Sequence, residues 1–508
     1  MADEPRTTTV KAPADDARQV IVHVDVAVDG SGHWTSQRPV ACAVDVGGMK
    51  PDAQYEALVG GSARVVSDGL VTGVSCEAYL EGQELSAAIE RDVRVCGAAA
   101  WGVSLEAIDR LMEFERLPVS HVTVGGDVDV RSRFDIARGI HSYVDGTMSC
   151  QVQGSVTVVN ENQTDEAWRQ LSRKYPLQDL VDGHKAGYDW EDYRSACAFG
   201  IQVANWGQTT VGVGGDVRAT SSCRERCGYA RGVEIGSFAY SARIVVGGDV
   251  VARAGAGKDE DFYGEAIGIY LWRHDGGDVF VRARNVVAEG ADLDSVGISA
   301  YSTSESDLPT RIEMQVLGDV TSSGNGIMLS SICRSLAAPS FCVFVEGTVY
   351  AGGNGVCLGR REEQRYDETI DDDLLYCAGE PWGSMDVVVW RIEPGEGRVA
   401  VQADAGVECC VSYLVRVEQP VAGAAIRILS ELEQRSFRGV PHSYLVAHAG
   451  DVIRFAVDVE ESCQVVAVYG LQDGEPLSPE PDGTYQVTVP PEGGVCLRAL
   501  SCDNKTNG

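Results

Sequence analysis

The sequence has no long apolar run and far fewer basic than acidic residues. No apolar run approaches the roughly 18 residues that a membrane-spanning helix requires. Lys and Arg total 42 against 75 Asp and Glu, so the formal net charge is −33. This acidity argues against nucleic acid or an anionic membrane as a partner. Its simplest role is to keep a long β-surface soluble and to discourage pairing between sheet edges.

The repeated segments also lack helical spacing. Their apolar residues do not recur every 3.6 positions, which excludes helical repeats such as ankyrin or armadillo. The segment Met1–Arg6 lacks the charged-then-apolar pattern of a signal peptide. We therefore expect either that the protein is not exported or that the chain begins after a removed signal.

Metal-binding spacings are missing too, although the chain has 16 cysteines. Cys223 and Cys227 have no second pair at zinc-site spacing. The three adjacent carboxylates Asp371–Asp373 lack the alternation typical of a calcium loop. Cys76 and Cys197 occupy strand positions where a free thiol acts as a small hydrophobe. We expect no metal and no cofactor.

A four-residue phrase, Gly-(Ile/Val)-x-(apolar or small), is present nine times. The intervals between copies are 29, 37, 61, 32, 36, 29, 29 and 29 residues, so 29 is the base period and the excesses are insertions. A fixed period of this length predicts a stacked-repeat protein. The phrases begin at Gly73, Gly102, Gly139, Gly200, Gly232, Gly268, Gly297, Gly326 and Gly355.

A second phrase precedes each of these and alternates Val with other residues before a Gly-Asp-Val turn, as in Gly248-Asp249-Val250. Alternation at period two is typical of strands, and Gly would supply the backbone angles that the bends need. Strands that cannot bury their own apolar face must stack, which predicts an all-β parallel β-helix solenoid with coils of about 29 residues. The predicted core includes Val128, Val217, Val250, Val320, Val349, Ile140, Ile201, Ile269, Ile298 and Ile327.

The pattern divides the chain into four parts. Residues 1–60 form an N-terminal tail and cap, residues 61–390 the parallel β-helix, and residues 391–406 a last coil or linker. Residues 407–508 lose the period and alternate between turns, which predicts a small antiparallel β module.

Two resemblances follow from these motifs. The coils resemble right-handed parallel β-helices of the pectin-lyase-like type. The tail, with Ala447…Gly450-Asp451 and Asp482-Gly483-Thr484-Tyr485 ahead of Thr488-Val489-Pro490, resembles the β repeat modules that end many bacterial surface proteins. Both imply a secreted or cell-surface location.

The clearest indication of a site is a cluster of insertions at one corner of neighbouring coils, at residues 131–138, 160–196, 218–231 and 253–265. They bring together aromatic and charged residues that suit either a carbohydrate site or plain loop packing. The third residue of the Gly-Ile phrase should face outward beneath them, because strand side chains alternate. The candidate ligand-binding residues are His141, Gln202, Glu234 and Tyr270 on the strands and Tyr188, Asp189, Trp190, Tyr193 and Arg224 in the insertions.

We favour a non-catalytic, adhesin-like or structural surface protein, with a glycan or a host cell-surface ligand as its partner. The alternative is a polysaccharide lyase or glycoside hydrolase, which also uses this fold. Its usual motifs (Asp-Asp after Gly or Gln, Gly-His-Gly, Arg-x-Pro-x-x-Arg) are missing, so no catalytic residue is assigned. A third hypothesis, an intracellular assembly protein, rests on the thiols and the missing signal.

Overall fold

The structure is a computed structural model in which every regular element among the described residues is a β-strand. Among the described residues, no helix could cross a membrane. The structure describes residues 10–11, 19–29, 40–47, 50–67, 69–78, 80–107, 116–134, 136–161, 196–205, 207–222, 228–236, 241–255, 264–274, 276–291, 295–304, 309–333, 339–359, 384–404, 409–418 and 423–503.

The coils build three stacked faces, each a row of parallel strands, and together they confirm the predicted parallel β-solenoid. Face 1 is a separate sheet of 12 strands. It consists of β1 (Val10–Lys11), β4 (Val40–Gly47), β7 (Leu70–Ala78), β10 (Ala99–Ala107), β13 (Ala137–Val144), β16 (Ala196–Asn205), β19 (Gly228–Ile235), β22 (Gly264–His274), β25 (Val296–Ser304), β28 (Asn325–Cys333), β30 (Val356–Gly359) and β32 (Val401–Ala403).

Faces 2 and 3 are joined because two long strands, β29 and β31, run through both. Face 2 consists of β2 (Gln19–Val22), β5 (Gln54–Val59), β8 (Glu84–Ile89), β11 (Val119–Val124), β14 (Thr147–Val152), β17 (Gln208–Val213), β20 (Ser241–Val246), β23 (Gly277–Ala283), β26 (Thr310–Val316), β29 (Ser340–Ala351), β31 (Ser384–Glu393) and β33 (Cys409–Leu414). Face 3 adds β3 (Val26–Asp29), β6 (Ala63–Val66), β9 (Val93–Gly97), β12 (Val128–Ser132), β15 (Val156–Asn160), β18 (Val217–Ser221), β21 (Val250–Ala254), β24 (Val286–Glu289) and β27 (Val320–Ser322).

The core runs along the axis of the solenoid between the three faces. All ten residues predicted to lie there, from Val128 to Ile327, have no exposed surface. Cys76 is fully buried as expected, whereas Cys197 is only partly buried and packs beside Phe199 on the outer side of face 1. Eleven of the described cysteines form no disulfide, so hydrophobic burial rather than cross-linking holds the described coils together.

The repeated glycine of face 1 is required for a different reason from the one predicted. None of the nine glycines has a positive φ, so the bend angles do not demand glycine. A Cβ on Gly297 would instead lie 2.4 Å from Val320 Cγ1 and 2.6 Å from the carbonyl oxygen of Gly326. Face 1 and face 3 approach each other so closely at this column that only a hydrogen atom fits.

The aspartate of the Gly-Asp-Val turn supplies a series of corner hydrogen bonds between coils. Backbone N–H groups at the corner between faces 2 and 3 point along the axis, and a side-chain oxygen of the preceding coil accepts from each. These corner hydrogen bonds include Asp127 N–H to Asp92 Oδ1 (3.0 Å), Asp249 N–H to Asp216 Oδ1 (2.8 Å), Asp319 N–H to Asn285 Oδ1 (2.9 Å) and Thr348 N–H to Asp319 Oδ1 (2.7 Å).

The C-terminal region begins as an extension of the solenoid. β33 adds a parallel strand to face 2 beyond the boundary predicted at residue 407. The antiparallel hairpin of β36 (Glu433–Ser436) and β37 (Ser443–His448) then pairs with β33.

The remaining strands form two small sheets. One contains one parallel pair, whereas the other is wholly antiparallel and confirms the predicted small antiparallel β domain. One three-stranded sheet contains β34 (Arg416–Val417), β41 (Val495–Asp503) and β39 (Cys463–Leu471), and the other contains β35 (Ala424–Ile428), β38 (Val452–Val459) and β40 (Tyr485–Thr488).

Replacing the column glycine should destabilise the fold. Gly297→Ala forces either the Val320 side chain or the backbone of the next coil to move, at a cost of about 1–3 kcal/mol. Urea unfolding measures this cost. Gly236→Ala is the matched control because its Cβ would meet nothing nearer than 3.4 Å. Equal unfolding midpoints for the two variants would contradict the close-approach explanation.

The corner hydrogen bonds should also make the stability of the fold depend on pH. The hydrogen bond from Arg284 Nε to Asp249 (2.8 Å) is the largest cause of a lowered pKa for that carboxyl, and Asn285 adds a second bond. A lowered pKa contributes stability above the unfolded value of about 3.9, and that contribution is lost as the pH falls through the folded value. Asp249→Asn should therefore lose less stability than the wild type between pH 5 and pH 3.

Urea midpoints measured across that range test the expectation. Asp278→Asn, on the exposed side of face 2, serves as the control for removing one carboxylate. A pH profile of Asp249→Asn parallel to that of the wild type would contradict it.

Candidate functional site

The outer surface of face 1 carries a straight row of side chains, one from each coil. Ser75, Ser104, His141, Gln202, Glu234, Tyr270, Ser299, Met328 and Cys357 pair with one another in register. In each repeat these residues lie between two that face the core, such as Val103 and Leu105 around Ser104. We call this row the ladder. Its centre, from His141 to Tyr270, is where polar and aromatic side chains replace small ones.

A second outward row lies three positions earlier on the same strands. It contains Trp101, Arg138, Phe199, Arg231, Ile267 and Val296, again in register. Sequence reasoning missed this row because it was read only from the Gly-Ile phrase onward. The residue just before each glycine carries it, so extending the repeat by one position would have found Trp101 and Arg231.

Arg231 is the centre of a charged cluster within these two rows. Its Nη2 lies 3.1 Å from Glu265 Oε1, and its Nε lies 3.9 Å from Glu234 Oε2. Glu234 also accepts a hydrogen bond of 2.8 Å from Gln202 Nε2. The guanidinium stacks over the Tyr270 ring at 5.0 Å and lies 5.7 Å from the Tyr229 ring. Only 11% of the Arg231 side chain and 18% of the Glu234 side chain are exposed, so the cluster is largely desolvated.

This burial shifts the pKa of both charged partners. Desolvation raises the pKa of the Glu234 carboxyl, although Arg231 and the bond from Gln202 oppose the shift. Desolvation acts to lower the pKa of Arg231, but the carboxylates of Glu265 and Glu234 outweigh it and the net shift is upward. The site therefore pairs a firmly cationic guanidinium with a carboxyl that is held toward its protonated form.

His141 lies at the other end of this patch. Its ring is 6.3 Å from that of Trp101 and nearly parallel to it, and Arg138 lies over the same indole at 5.5 Å. Nδ1 is 4.0 Å from Glu106 Oε1, which is too long for a hydrogen bond. Burial, and secondly the charge of Arg138, lower the pKa of His141 well below its usual value, so the imidazole is neutral at pH 7.

Several polar atoms of the patch are buried without a hydrogen-bond partner among the described residues. They are Trp101 Nε1, His141 Nδ1, Gln202 Oε1 and Arg231 Nη1. Buried polar atoms are almost always satisfied by protein, water or ligand, so these four atoms are hydrogen-bonding groups of the patch that a polar partner could engage.

Five of the nine predicted site residues, namely Tyr188, Asp189, Trp190, Tyr193 and Arg224, lie outside the described residues. The four strand residues are brought together as consecutive rungs of one ladder. In the part of the chain that the structure describes, no group of three or more His, Cys, Asp or Glu side chains could hold a metal ion.

Comparison with known proteins yields no match, whether to a protein-family model, a curated protein or a solved structure.

His141 should leave a signature in the pH dependence of stability. Its folded pKa lies below the unfolded value of about 6.5. The unfolded chain therefore binds the proton first as the pH falls. The wild type should lose up to about 1.4 kcal/mol per pH unit below pH 6.5 from this one group, until the folded pKa is reached.

His141→Gln should remove that contribution, as measured by urea unfolding at a series of pH values. His23→Gln, at an exposed position before β3, is the control. An unchanged slope in His141→Gln would contradict the buried neutral imidazole.

Proposed function

We propose that this protein is an extracellular or cell-surface β-solenoid that binds a glycan along the centre of the ladder without cleaving it. The observation that carries the proposal is the cluster of polar and aromatic side chains from His141 to Tyr270, with its unpartnered buried atoms. A pectin-lyase-like ancestry and a bacterial surface location belong to the same proposal and rest on the sequence resemblances alone.

The chemistry of the patch suits a sugar chain. Aromatic rings offer apolar faces for stacking, as Trp101 and Tyr270 do here. Indole N–H, amide oxygen and guanidinium groups can exchange hydrogen bonds with hydroxyl groups. Strands of one sheet lie about 4.8 Å apart, so the four rungs from His141 to Tyr270 span about 14 Å, the length of a short oligosaccharide.

The second candidate is a polysaccharide lyase or glycoside hydrolase. The observation that favours it is that desolvation raises the pKa of Glu234, since a raised pKa favours the protonated form that a general acid needs. Its weakness is that Glu265, the other carboxylate of the described cluster, is engaged by Arg231 at 3.1 Å.

Glycan binding by the full chain, measured on an array and then by calorimetry with the best ligand, tests the proposal. Tyr270→Ala should weaken binding about 2- to 12-fold, corresponding to roughly 0.5–1.5 kcal/mol for one aromatic contact. Tyr350→Ala is the matched control because Tyr350 is 40% exposed on β29, away from face 1. It should leave binding unchanged.

Glu234→Gln separates the two candidates. Glutamine keeps a similar shape and hydrogen-bonding capacity but has no proton to transfer. If the wild type and Glu234→Gln bind the glycan equally and neither cleaves it, the binding protein is supported. If the wild type cleaves the glycan and Glu234→Gln does not, the enzyme is supported. Absence of any glycan binding by the wild type, with a lower melting temperature for Tyr270→Ala, would mean that the row serves packing alone.

A further inference from the structure

A different cluster, at the junction of the last coil and the C-terminal hairpin, brings a thiol, an imidazole and a carboxylate together. Cys410 and Ser412 lie on the outer side of β33, and His448 ends the neighbouring antiparallel strand β37. His448 Nε2 is 3.5 Å from Cys410 Sγ and 3.3 Å from Ser412 Oγ. On the other side of the ring, Nδ1 is 3.7 Å from Asp451 Oδ2.

The turn after β37 fixes this arrangement. Asp451 Oδ2 accepts the backbone N–H of His448 at 2.8 Å, and the Asp451 N–H returns to the His448 carbonyl at 3.0 Å. The carboxylate is thereby held on the Nδ1 side of the imidazole, which favours the tautomer with Nδ1 protonated and Nε2 free to accept a proton. A nucleophile, a base and a group that orients the base thus follow one another in space.

A cation completes the surroundings of the thiol. Arg435 Nη2 lies 3.9 Å from Cys410 Sγ, and its Nη1 makes two 2.6 Å contacts with the Asp386 carboxylate. Only 17% of the Arg435 side chain is exposed, so the guanidinium is held in place and can stabilise a negative sulfur.

Access distinguishes the two possible nucleophiles. Ser412 is completely buried, whereas Cys410 is partly exposed and His448 is half-exposed.

We propose that Cys410, His448 and Asp451 form a nucleophilic cysteine site that takes an acyl group from an activated ester or thioester. The thiol proton passes to His448 Nε2 as Sγ bonds to the carbonyl carbon. The bond to the leaving oxygen or sulfur breaks, and the leaving atom takes the proton from His448. Water then attacks the thioester with His448 as base, which releases the acid and restores the thiol.

Acylation of the full chain by p-nitrophenyl acetate tests this site. We expect release of about one equivalent of p-nitrophenolate in a rapid phase, with the acetyl group on Cys410 in peptide mass spectra. A Cys409→Ser background removes ambiguity from the adjacent cysteine in the sequence. Cys502 is the internal control, since it is also partly exposed and the neutral amide of Gln464 contacts its thiol at 3.5 Å.

Variants of the base and of its orienting group make the test specific. His448→Ala should slow acylation of Cys410 by about 100-fold without affecting Cys502. Asp451→Asn keeps an oxygen for the turn and should slow Cys410 by a smaller factor. Circular dichroism melts check that both variants remain folded.

Comparable acylation rates for Cys410 and Cys502 in the wild type would overturn the proposal without recourse to any variant. An unchanged Cys410 rate in folded His448→Ala would do the same. The cluster would then be a polar contact that fastens the hairpin to the last coil.

Discussion

The close approach of face 1 to face 3 at the glycine column is the constraint on which the rest of the solenoid depends. Because Gly297 leaves no room for a Cβ between Val320 and the next coil, the face 1 strand has one possible position against its neighbour. That position sets the parallel register along the nine consecutive coils of face 1 that have the glycine. A register fixed in this way is what aligns the third residue of every phrase into a single straight row.

The second requirement is that every coil finds partners for its corner N–H groups. Strand interiors meet this need through parallel ladders, whereas corners have no strand above them. The aspartates of the Gly-Asp-Val turn fill that role, and Arg284, which contacts Asp249, offsets part of the charge that accumulates when carboxylates stack. At the end of the solenoid, the free edge of β33 pairs with the antiparallel strand β37.

These two devices explain why so much of the fold could be predicted from the sequence. Period, strand alternation and the buried Val and Ile columns are local patterns repeated many times, and each copy reinforces the others. The reason for the glycines was misjudged because a contact between faces leaves no trace in the residue itself.

The site was less accessible to such reasoning. His141 to Tyr270 could be aligned because they share a position in the repeat. The contact of Arg231 with Glu265 could not be predicted, since it depends on which side chains meet between neighbouring coils. The cluster around Cys410 escaped because it joins β33 to a hairpin that has no repeat at all.

The second row of face 1 allows the polar cluster to be compared with apolar residues in the same environment. Phe199 and Ile267 occupy the rungs on either side of Arg231 and are buried there, with 8% and 4% of their surface exposed. An apolar residue therefore fits this environment, and replacing a buried ion pair by well-packed apolar residues is often neutral or stabilising. Arg231 and Glu234 instead carry a desolvation cost, and Arg231 and Gln202 each leave one polar atom without a described partner. The proposed recognition of a polar ligand would account for the charges at these rungs.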